Sequence, residues 1–450
     1  MRKKGFLKIS SAQIIPLGFF ALILFGTVML LLPISTAPGE STSLLTALFT
    51  STTSVCVTGL VVTDTFAHWS LFGQIVILVL IQLGGLGVIT VYSAFILTLH
   101  KRMALKDQIL LMDAFNLSSL DGLLVFLGRV LRGTFIVEGA GALMYLPAFI
   151  PRFGIVRGIW VSAFTSISAF CNAGIDIIGP DSLMSFKSDP LVLITTMLLI
   201  VLGGIGYIVW FDLLSNLKRR GERKRRISEH TKLVLFLTAA LILFGAASTF
   251  ALEYSNPATL GGMSLGDKIL NSFFQSVTFR TAGFATFTQK GLTESSALIG
   301  AVLMFIGGSP VGTAGGVKTV TFYVILKNTI SFVLNRNETI ILRRRVNRSF
   351  VQEATAILTT SLTVVFLFTV LVCATNKLSL TDGLYEVVSA TATVGLTRDL
   401  TPQLNRIGRV FIIICMYLGR IGPISLALFF RMRHSPKNNV SISEGKFIVG

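Results

Sequence analysis

Charged residues are scarce in this sequence. Asp, Glu, Lys and Arg make up 13% of the 450 residues, whereas an average soluble protein contains about 25%. Hydrophobic residues reach 52%, and the mean hydropathy is +0.77. This imbalance excludes an ordinary soluble domain organisation, and the long runs without charge predict a polytopic membrane protein.

Residues that commonly build catalytic or metal centres are also scarce. The four cysteines lie in apolar segments with no CxxC or CxxH spacing, and the four histidines lie in separate loops. Neither a disulfide framework nor a zinc site is expected. The run GTAGGVKT at 312–319 resembles a phosphate-binding loop, but Val317 stands directly before the lysine, where that motif requires a glycine. We therefore expect no enzyme, and no cofactor or nucleotide site in this chain.

Eight apolar runs are long enough to cross a bilayer as helices, which requires about 20 residues each. They cover approximately residues 13–32, 72–98, 123–147, 191–214, 233–252, 297–326, 353–375 and 408–430. Basic residues cluster between alternate runs: at the N-terminus, in 99–121, 216–232 and 327–350, and in the tail from 431. These segments hold 25 of the 39 Lys and Arg residues, which predicts that both termini are cytoplasmic. The net charge of +18 then reflects topology, and no nucleic-acid partner is expected.

A half-apolar segment too short to cross a membrane follows the first, third, fifth and seventh runs. The four segments are LLTALFTSTTSVCVTGL (44–60), WVSAFTSISAFCNAGI (160–175), ILNSFFQSVTFRTAGF (269–284) and LYEVVSATATVGL (384–396). Their glycines Gly59, Gly174, Gly283 and Gly395 are separated by 115, 109 and 112 residues. A glycine motif follows each of them in the next run: LGGLG, LGGIG, IGGSPVG or LGRIG. This spacing predicts four repeats of about 110 residues.

Two spans per repeat keep all four repeats in one orientation, which predicts parallel repeats around an axis along the membrane normal. The expected fold is all-α, with eight transmembrane helices in a pseudo-fourfold arrangement around a central pore. The expected repeats cover 1–100, 101–216, 217–327 and 328–450, the last including a cytoplasmic tail. Because glycine accepts positive φ, the four glycines let carbonyl oxygens point at the axis and replace the hydration shell of a cation.

The segments SVCVTGL, AFCNAGI, TFRTAGF and ATVGL, each followed by a glycine-bearing span, resemble the four pore loops of the Trk/Ktr/HKT superfamily of potassium transport proteins. Eight spans resemble the membrane subunit of the Ktr branch. The resemblance implies a potassium-selective pore in a bacterial cell membrane, and Gly59 favours potassium because some sodium-preferring relatives carry serine there. The implied selectivity filter comprises Val57, Thr58 and Gly59; Asn172, Ala173 and Gly174; Thr281, Ala282 and Gly283; and Thr393, Val394 and Gly395.

The sixth run contains GGSPVGTAGGVK at 307–318, where Pro310 and five glycines are incompatible with a continuous helix. A loop is expected there. The resemblance implies an intramembrane gate beneath the filter, formed by Gly312, Thr313, Ala314, Gly315 and Gly316. Arg420, at the second glycine position of the LGGLG pattern, is implied to lie beside this gate. A packing kink at the loop and a structural ion pair for Arg420 stay open as alternatives.

Two further cations lie near these segments in the sequence. Arg280 stands three residues before Gly283, and we expect it to point behind the filter and to pair with Glu386 or Glu138. Lys318, at the end of the broken run, is expected to reach the cytoplasmic face.

The resemblance also implies partners. Membrane subunits of the Ktr branch form a homodimer in membrane lipid and work with a cytosolic octameric ring of RCK (KTN) subunits, on which ATP or ADP binds. An alternative function is a cation-coupled secondary transporter with its substrate site at the broken sixth run. The four filter glycines favour the pore, whereas strict stoichiometric coupling would favour the alternative.

Overall fold

A computed structural model describes residues 11–87, 123–218, 227–336 and 338–422 of the protein, and these residues are mostly helical. The helices are α1 (Ser11–Leu30), α2 (Leu44–Cys56), α3 (Thr65–His68), α4 (Leu71–Leu86), α5 (Leu123–Phe153), α6 (Ile155–Phe170), α7 (Pro190–Gly204), α8 (Tyr207–Lys218), α9 (Glu229–Glu253), α10 (Leu265–Thr278), α11 (Glu294–Phe305), α12 (Thr319–Val333), α13 (Arg348–Asn376), α14 (Leu380–Thr391) and α15 (Arg406–Ile421). The strands of the described residues, β1 (Ile340–Ile341) and β2 (Arg344–Arg345), form one antiparallel hairpin. The prediction of a helical fold is confirmed.

Most of these helices begin where a polar side chain accepts a hydrogen bond from a free amide of the first turn, which offsets the missing partners at a helix start. The capping residues are Ser43, Asp64, Ser70, Asp189, Ser228, Ser264, Thr293, Asn347, Ser379 and Asn405. Pro190 follows Asp189 at a first helical position, where a missing N–H costs the helix nothing.

Three helices of the described residues are long and apolar enough to cross a membrane. They are Val125–Phe153, Glu229–Glu253 and Arg348–Asn376, and a bent pair, Pro190–Gly204 with Tyr207–Asn216, makes a fourth if it is one span. The predicted second and eighth runs, the basic segment 99–121 and both chain ends extend outside the described residues. The count of eight spans and the cytoplasmic termini therefore stay predictions.

The longer helices pack in four groups of the same construction. Each group has a long first helix that packs against both a short second helix and a third helix: α1 with α2 and α4, α5 with α6 and α7, α9 with α10 and α11, and α13 with α14 and α15. The third helix of each group also packs on the second helix of the next one: α4 on α6, α7 on α10, α11 on α14, and α15 on α2. Because the last contact returns to the first group, the four groups close into a ring.

The first glycine of the LGG or LGR motif explains how closely the helices approach in three groups. A Cβ atom at this glycine would stand 2.0–2.1 Å from a carbonyl oxygen near the end of the short helix in the same group. The pairs are Gly84 with Val55, Gly203 with Phe170, and Gly419 with Thr391. Real Cβ atoms do not come this close to a backbone oxygen, so any side chain would push the two helices apart.

The substitution Gly84→Ala is therefore expected to lower the stability of the protein by about 1–3 kcal/mol, the usual cost of overpacking. Thermal unfolding of the purified protein in detergent measures the effect. The matched control is Gly139→Ala, because Gly139 lies within α5 with nothing within 4 Å of an added Cβ. Equal melting temperatures for the two variants would contradict the close packing of α4 on α2.

Candidate functional site

The four short helices α2, α6, α10 and α14, called the ring helices below, each end in a turn of the same conformation. Two residues before the repeat glycine, a non-glycine residue adopts positive φ: Val57 (55°), Asn172 (60°), Thr281 (66°) and Thr393 (52°). The glycine itself also has positive φ: Gly59 (96°), Gly174 (66°), Gly283 (82°) and Gly395 (92°). Four segments with different side chains thus share one backbone path.

The left-handed residues in these turns were not anticipated from the sequence. Val57, Thr281 and Thr393 are β-branched, and such residues are genuine outliers at positive φ. Each costs about 1–3 kcal/mol and persists only where its surroundings hold it. The only available signal was positional, since each residue stands two places before a repeat glycine. Backbone strain is concentrated where the four segments converge.

The four glycines, called the glycine ring below, pack against one another in a closed cycle. A Cβ atom at each glycine would lie 2.2–2.7 Å from the carbonyl oxygen that precedes the glycine of the next group. The contacts run from Gly59 to Ala173, from Gly174 to Ala282, from Gly283 to Val394, and from Gly395 to Thr58. The twelve predicted filter residues therefore lie in four turns that meet, and the contacts leave no room for a side chain at the glycines.

Hydroxyl groups of the ring helices hold these turns from behind. Thr53 Oγ1 accepts from the Gly59 amide at 3.0 Å, and Ser389 Oγ accepts from the Gly395 amide at 3.1 Å. In the other two groups, hydroxyls of Ser168 and Thr278 donate to the carbonyl that follows the glycine. All four hydroxyl residues are buried, so the Ser/Thr-rich stretches supply the hydrogen bonds that water cannot provide at these positions.

Residues 306–318, called the 306–318 loop below, separate α11 from α12 without helical structure. The two ends of the loop are joined by a parallel bridge between Ile306 and Val317. The Gly307 amide donates to the Val317 carbonyl at 3.0 Å, and the Gly308 amide to the Gly315 carbonyl at 3.2 Å. The loop is therefore a compact, internally bonded unit.

The 306–318 loop lies against the turns of two opposite groups. Thr313 Oγ1 donates to the Phe170 carbonyl at 3.1 Å and lies 3.0 Å from Asn172 Oδ1. On the other side, a Cβ atom at Gly315 would stand 2.0 Å from Thr393 Oγ1. Asn172 and Thr393 each lie between the end of a ring helix and the repeat glycine that follows it. The loop therefore covers the side of the glycine ring on which the ring helices end.

Two cations hold adjacent carbonyls of this loop. Arg420 donates to the Thr313 carbonyl at 2.7 Å and also to the Gly84 carbonyl of α4. Lys318 Nζ donates to the Ala314 carbonyl instead of extending to a surface. Arg420 forms no ion pair within the described part of the chain. The structure thus brings Arg420 and the predicted gate residues together and adds Lys318 to them.

Arg280 does not have either of its predicted partners. Its side chain is 7% exposed, and its Nε has no hydrogen-bond partner among the described residues. Glu386 instead accepts a hydrogen bond from Thr397, and Glu138 accepts from Gln82. The predicted ion pair is wrong, because neutral amide and hydroxyl groups satisfy both carboxylates.

Asp176 lies just beyond the glycine ring, two residues after Gly174. Desolvation raises the pKa of this carboxyl to about 6, although hydrogen bonds from Ser182 and the Ile178 amide oppose the rise. Asp176 follows its repeat glycine in the chain, whereas Asn172, which contacts the 306–318 loop, precedes it.

Known proteins resemble this chain over nearly its whole length. The TrkH family of cation transport proteins matches residues 18–442, so the chain belongs to this family. This membership confirms the prediction of a transport protein and not an enzyme.

Individual relatives place the chain more closely. It is 37% identical to Ktr system potassium uptake protein B of Bacillus subtilis, over 97% of this chain and 96% of the relative. It is 36% identical to potassium/sodium uptake protein NtpJ of Enterococcus hirae, over 94% and 93%. The crystal structure of the potassium transporter TrkH from Vibrio parahaemolyticus shares its fold, with a TM-score of 0.75 at 16% identity over 96% of this chain and 86% of that one. The predicted membership of the Trk/Ktr/HKT superfamily and its Ktr branch is confirmed.

Proposed function

We propose that this protein takes up potassium across the bacterial cell membrane through a selective pore. The proposed pore is formed by four parallel repeats at 1–100, 101–216, 217–327 and 328–450, with eight transmembrane helices and both termini in the cytoplasm. The closed glycine ring is the observation that carries the proposal. Four turns of one conformation meet at one point, and backbone carbonyls, not side chains, line the contacts between them.

The filter of this pore is assigned to the twelve residues of the four turns. Carbonyl oxygens are hard, neutral ligands that replace the hydration shell of an alkali cation without holding it as firmly as a carboxylate does. The two relatives differ in the ions for which they are named, since one is a potassium uptake protein and the other a potassium/sodium uptake protein. Ion selectivity therefore distinguishes members of this family, and glycine at position 59 supports potassium as the preferred ion of this protein.

The gate is assigned to residues 312–316 together with Arg420. Loop contacts with Asn172 and Thr393 support a position directly beneath the filter. The charges of Arg420 and Lys318 add a barrier to cations there, because both are held at loop carbonyls in a poorly hydrated interior. Opening then requires the loop to move away from the filter.

Regulation is assigned to other chains. The name of the Bacillus subtilis relative refers to a Ktr system, which supports a soluble regulatory partner. We propose a homodimer of this subunit on an octameric RCK ring that binds ATP or ADP. The exposed hairpin residues Arg343 and Arg344 offer basic groups for such a partner or for lipid head groups, whereas the neighbouring Arg345 pairs with Glu338 at 2.8 Å.

Potassium and sodium uptake into liposomes that contain the purified protein tests this function. A diffusion potential is imposed across the membrane, and no second ion gradient is present. Potential-driven potassium flux is expected. Flux that requires a second ion gradient in fixed ratio would instead support the alternative, a coupled transporter whose substrate site lies at the 306–318 loop.

Two substitutions of Arg420 separate its charge from its hydrogen bonds. Arg420→Gln removes the charge and retains amide donors, whereas Arg420→Lys retains the charge and loses the planar fork. If repulsion closes the pore, the glutamine variant should raise potassium flux by about tenfold, since one lost interaction of about 1.4 kcal/mol has this effect, and the lysine variant should raise it much less.

Equal increases in both variants would indicate that hydrogen bonding to the Thr313 carbonyl closes the pore. Arg406→Gln is the control, because Arg406 is exposed at the start of the same helix α15. Unchanged flux in both folded Arg420 variants would contradict a role in gating.

A further inference from the structure

The fourth predicted run bends in a way that its sequence did not indicate. Helix α7 ends at Gly204, α8 begins at Tyr207, and the two helices meet at 99°. Gly206 makes the turn with a φ of 90°. A break of this kind leaves carbonyl groups at the end of one helix and amide groups at the start of the next without intrahelical partners. Inside a membrane, water is not available to bind them.

The 306–318 loop supplies partners for three of these groups. The Gly204 carbonyl accepts from the Ser309 amide at 2.9 Å, and the Gly203 carbonyl accepts from the Thr313 amide at 3.1 Å. The Tyr207 amide donates to the Val311 carbonyl at 3.0 Å. Backbone groups of the bend and of the loop are therefore hydrogen-bond partners of one another. Separation of the two segments would leave backbone groups without partners in both.

Gly206 also fits the loop closely. A Cβ atom at this position would stand 2.3 Å from the Pro310 carbonyl oxygen, and its other two nearest atoms also belong to the loop. A side chain at position 206 is thus disfavoured both by the loop, which occupies its place, and by the positive φ of the bend.

We propose that the bend between α7 and α8 is the seat on which the 306–318 loop closes, and that Gly206 and the backbone N–H of Tyr207 are its positioning groups. This proposal rests on the proposed gate. It predicts that the loop opens when α8 moves. Helix α8 leads toward the basic segment 216–232, and Asp212 of α8 accepts from the Ser228 amide at the start of α9 at 2.9 Å. A force applied to that segment would therefore reach the loop through one short helix.

The test compares Tyr207→Pro with Tyr207→Ala. Both variants lose the aromatic ring of the tyrosine, but only the proline variant lacks the backbone N–H at position 207 that donates to the Val311 carbonyl. Tyr207 is the first residue of α8, where proline is favoured and the N–H has no helical partner. Potassium flux into liposomes should be about fivefold higher for the proline variant, the shift expected when one backbone hydrogen bond is lost from a closed state.

Gly206→Ala provides a second variant that removes no hydrogen-bond donor or acceptor. Its methyl group would clash with the Pro310 carbonyl, and its positive φ would strain the bend, so both effects displace the loop from the bend. It should also raise the flux, which a merely damaged fold would not do. The proposal would be overturned by equal flux for the proline and alanine variants of Tyr207 together with no increase for Gly206→Ala. This conclusion holds if deletion of 312–316 still raises the flux, because the gate itself is then intact. If that deletion also failed to raise the flux, the gate itself would be refuted.

Discussion

Deletion of residues 312–316 is expected to raise potassium flux by about tenfold or more. The deletion removes the Thr313 hydroxyl that binds the Phe170 carbonyl and the Thr313 amide that binds the Gly203 carbonyl. It also removes the carbonyls that accept from Arg420 and Lys318. Loss of several closed-state interactions, each of about 1 kcal/mol or more, strongly favours the open state. Potential-driven uptake into liposomes measures the change.

A single substitution tests the same loop without shortening the chain, so its result does not depend on how a shortened loop folds. Thr313→Val keeps the shape of the side chain and the length of the chain, but it removes the hydroxyl that contacts Phe170 and Asn172. Its flux should increase less than that of the deletion, in the same direction. Flux at or below the parent level in both folded variants would show that the loop does not close the pore.

The substitution Gly59→Ser is expected to reduce discrimination between potassium and sodium by about tenfold, which corresponds to about 1.4 kcal/mol. The new Cβ would stand 2.3 Å from the Ala173 carbonyl oxygen, so the contact between the first and second turns must open. A carbonyl displaced in this way no longer fits the dehydrated potassium ion. Uptake of the two ions under the same imposed potential gives the ratio.

Gly39→Ser is the matched control for this substitution. Gly39 has a similar φ of 87°, but nothing lies within 4 Å of its Cβ position. It therefore imposes the same backbone strain on serine without touching the glycine ring. Unaltered selectivity in Gly59→Ser, or an equal loss in Gly39→Ser, would argue against a role of the first turn in ion selection.

Two of the candidate site's parts could be read from the sequence because their signals are local. Proline and clustered glycines exclude a helix wherever they occur, so the break between α11 and α12 follows from composition alone. The repeat glycines were visible because equal spacing requires no knowledge of contacts. By contrast, LGGIG at 202–206 gave no sign that a helix would break there. Gly206 adopts a φ of 90°, as Gly87 does (86°) at the same place in LGGLG.

Arg280 illustrates why side-chain partners could not be predicted. Charge complementarity suggested Glu386 or Glu138 as the partner of Arg280. In the structure Thr397 donates a hydrogen bond to Glu386, and Gln82 donates one to Glu138. Which neutral group is near a buried charge depends on how distant segments pack. That information is absent from the local pattern around any one residue.

The sequence by itself determined that this is a membrane protein, that four glycines recur at nearly equal spacing and that the sixth run is interrupted, because composition and spacing are properties of the linear chain. Only the tertiary structure decided that each glycine contacts the next group in a closed cycle. It also decided that Val57, Asn172, Thr281 and Thr393 adopt left-handed backbone, and that the 306–318 loop rests on the bend before Tyr207. These features arise from contacts between residues about a hundred positions apart or more, and such contacts exist only once the four groups have closed into a ring.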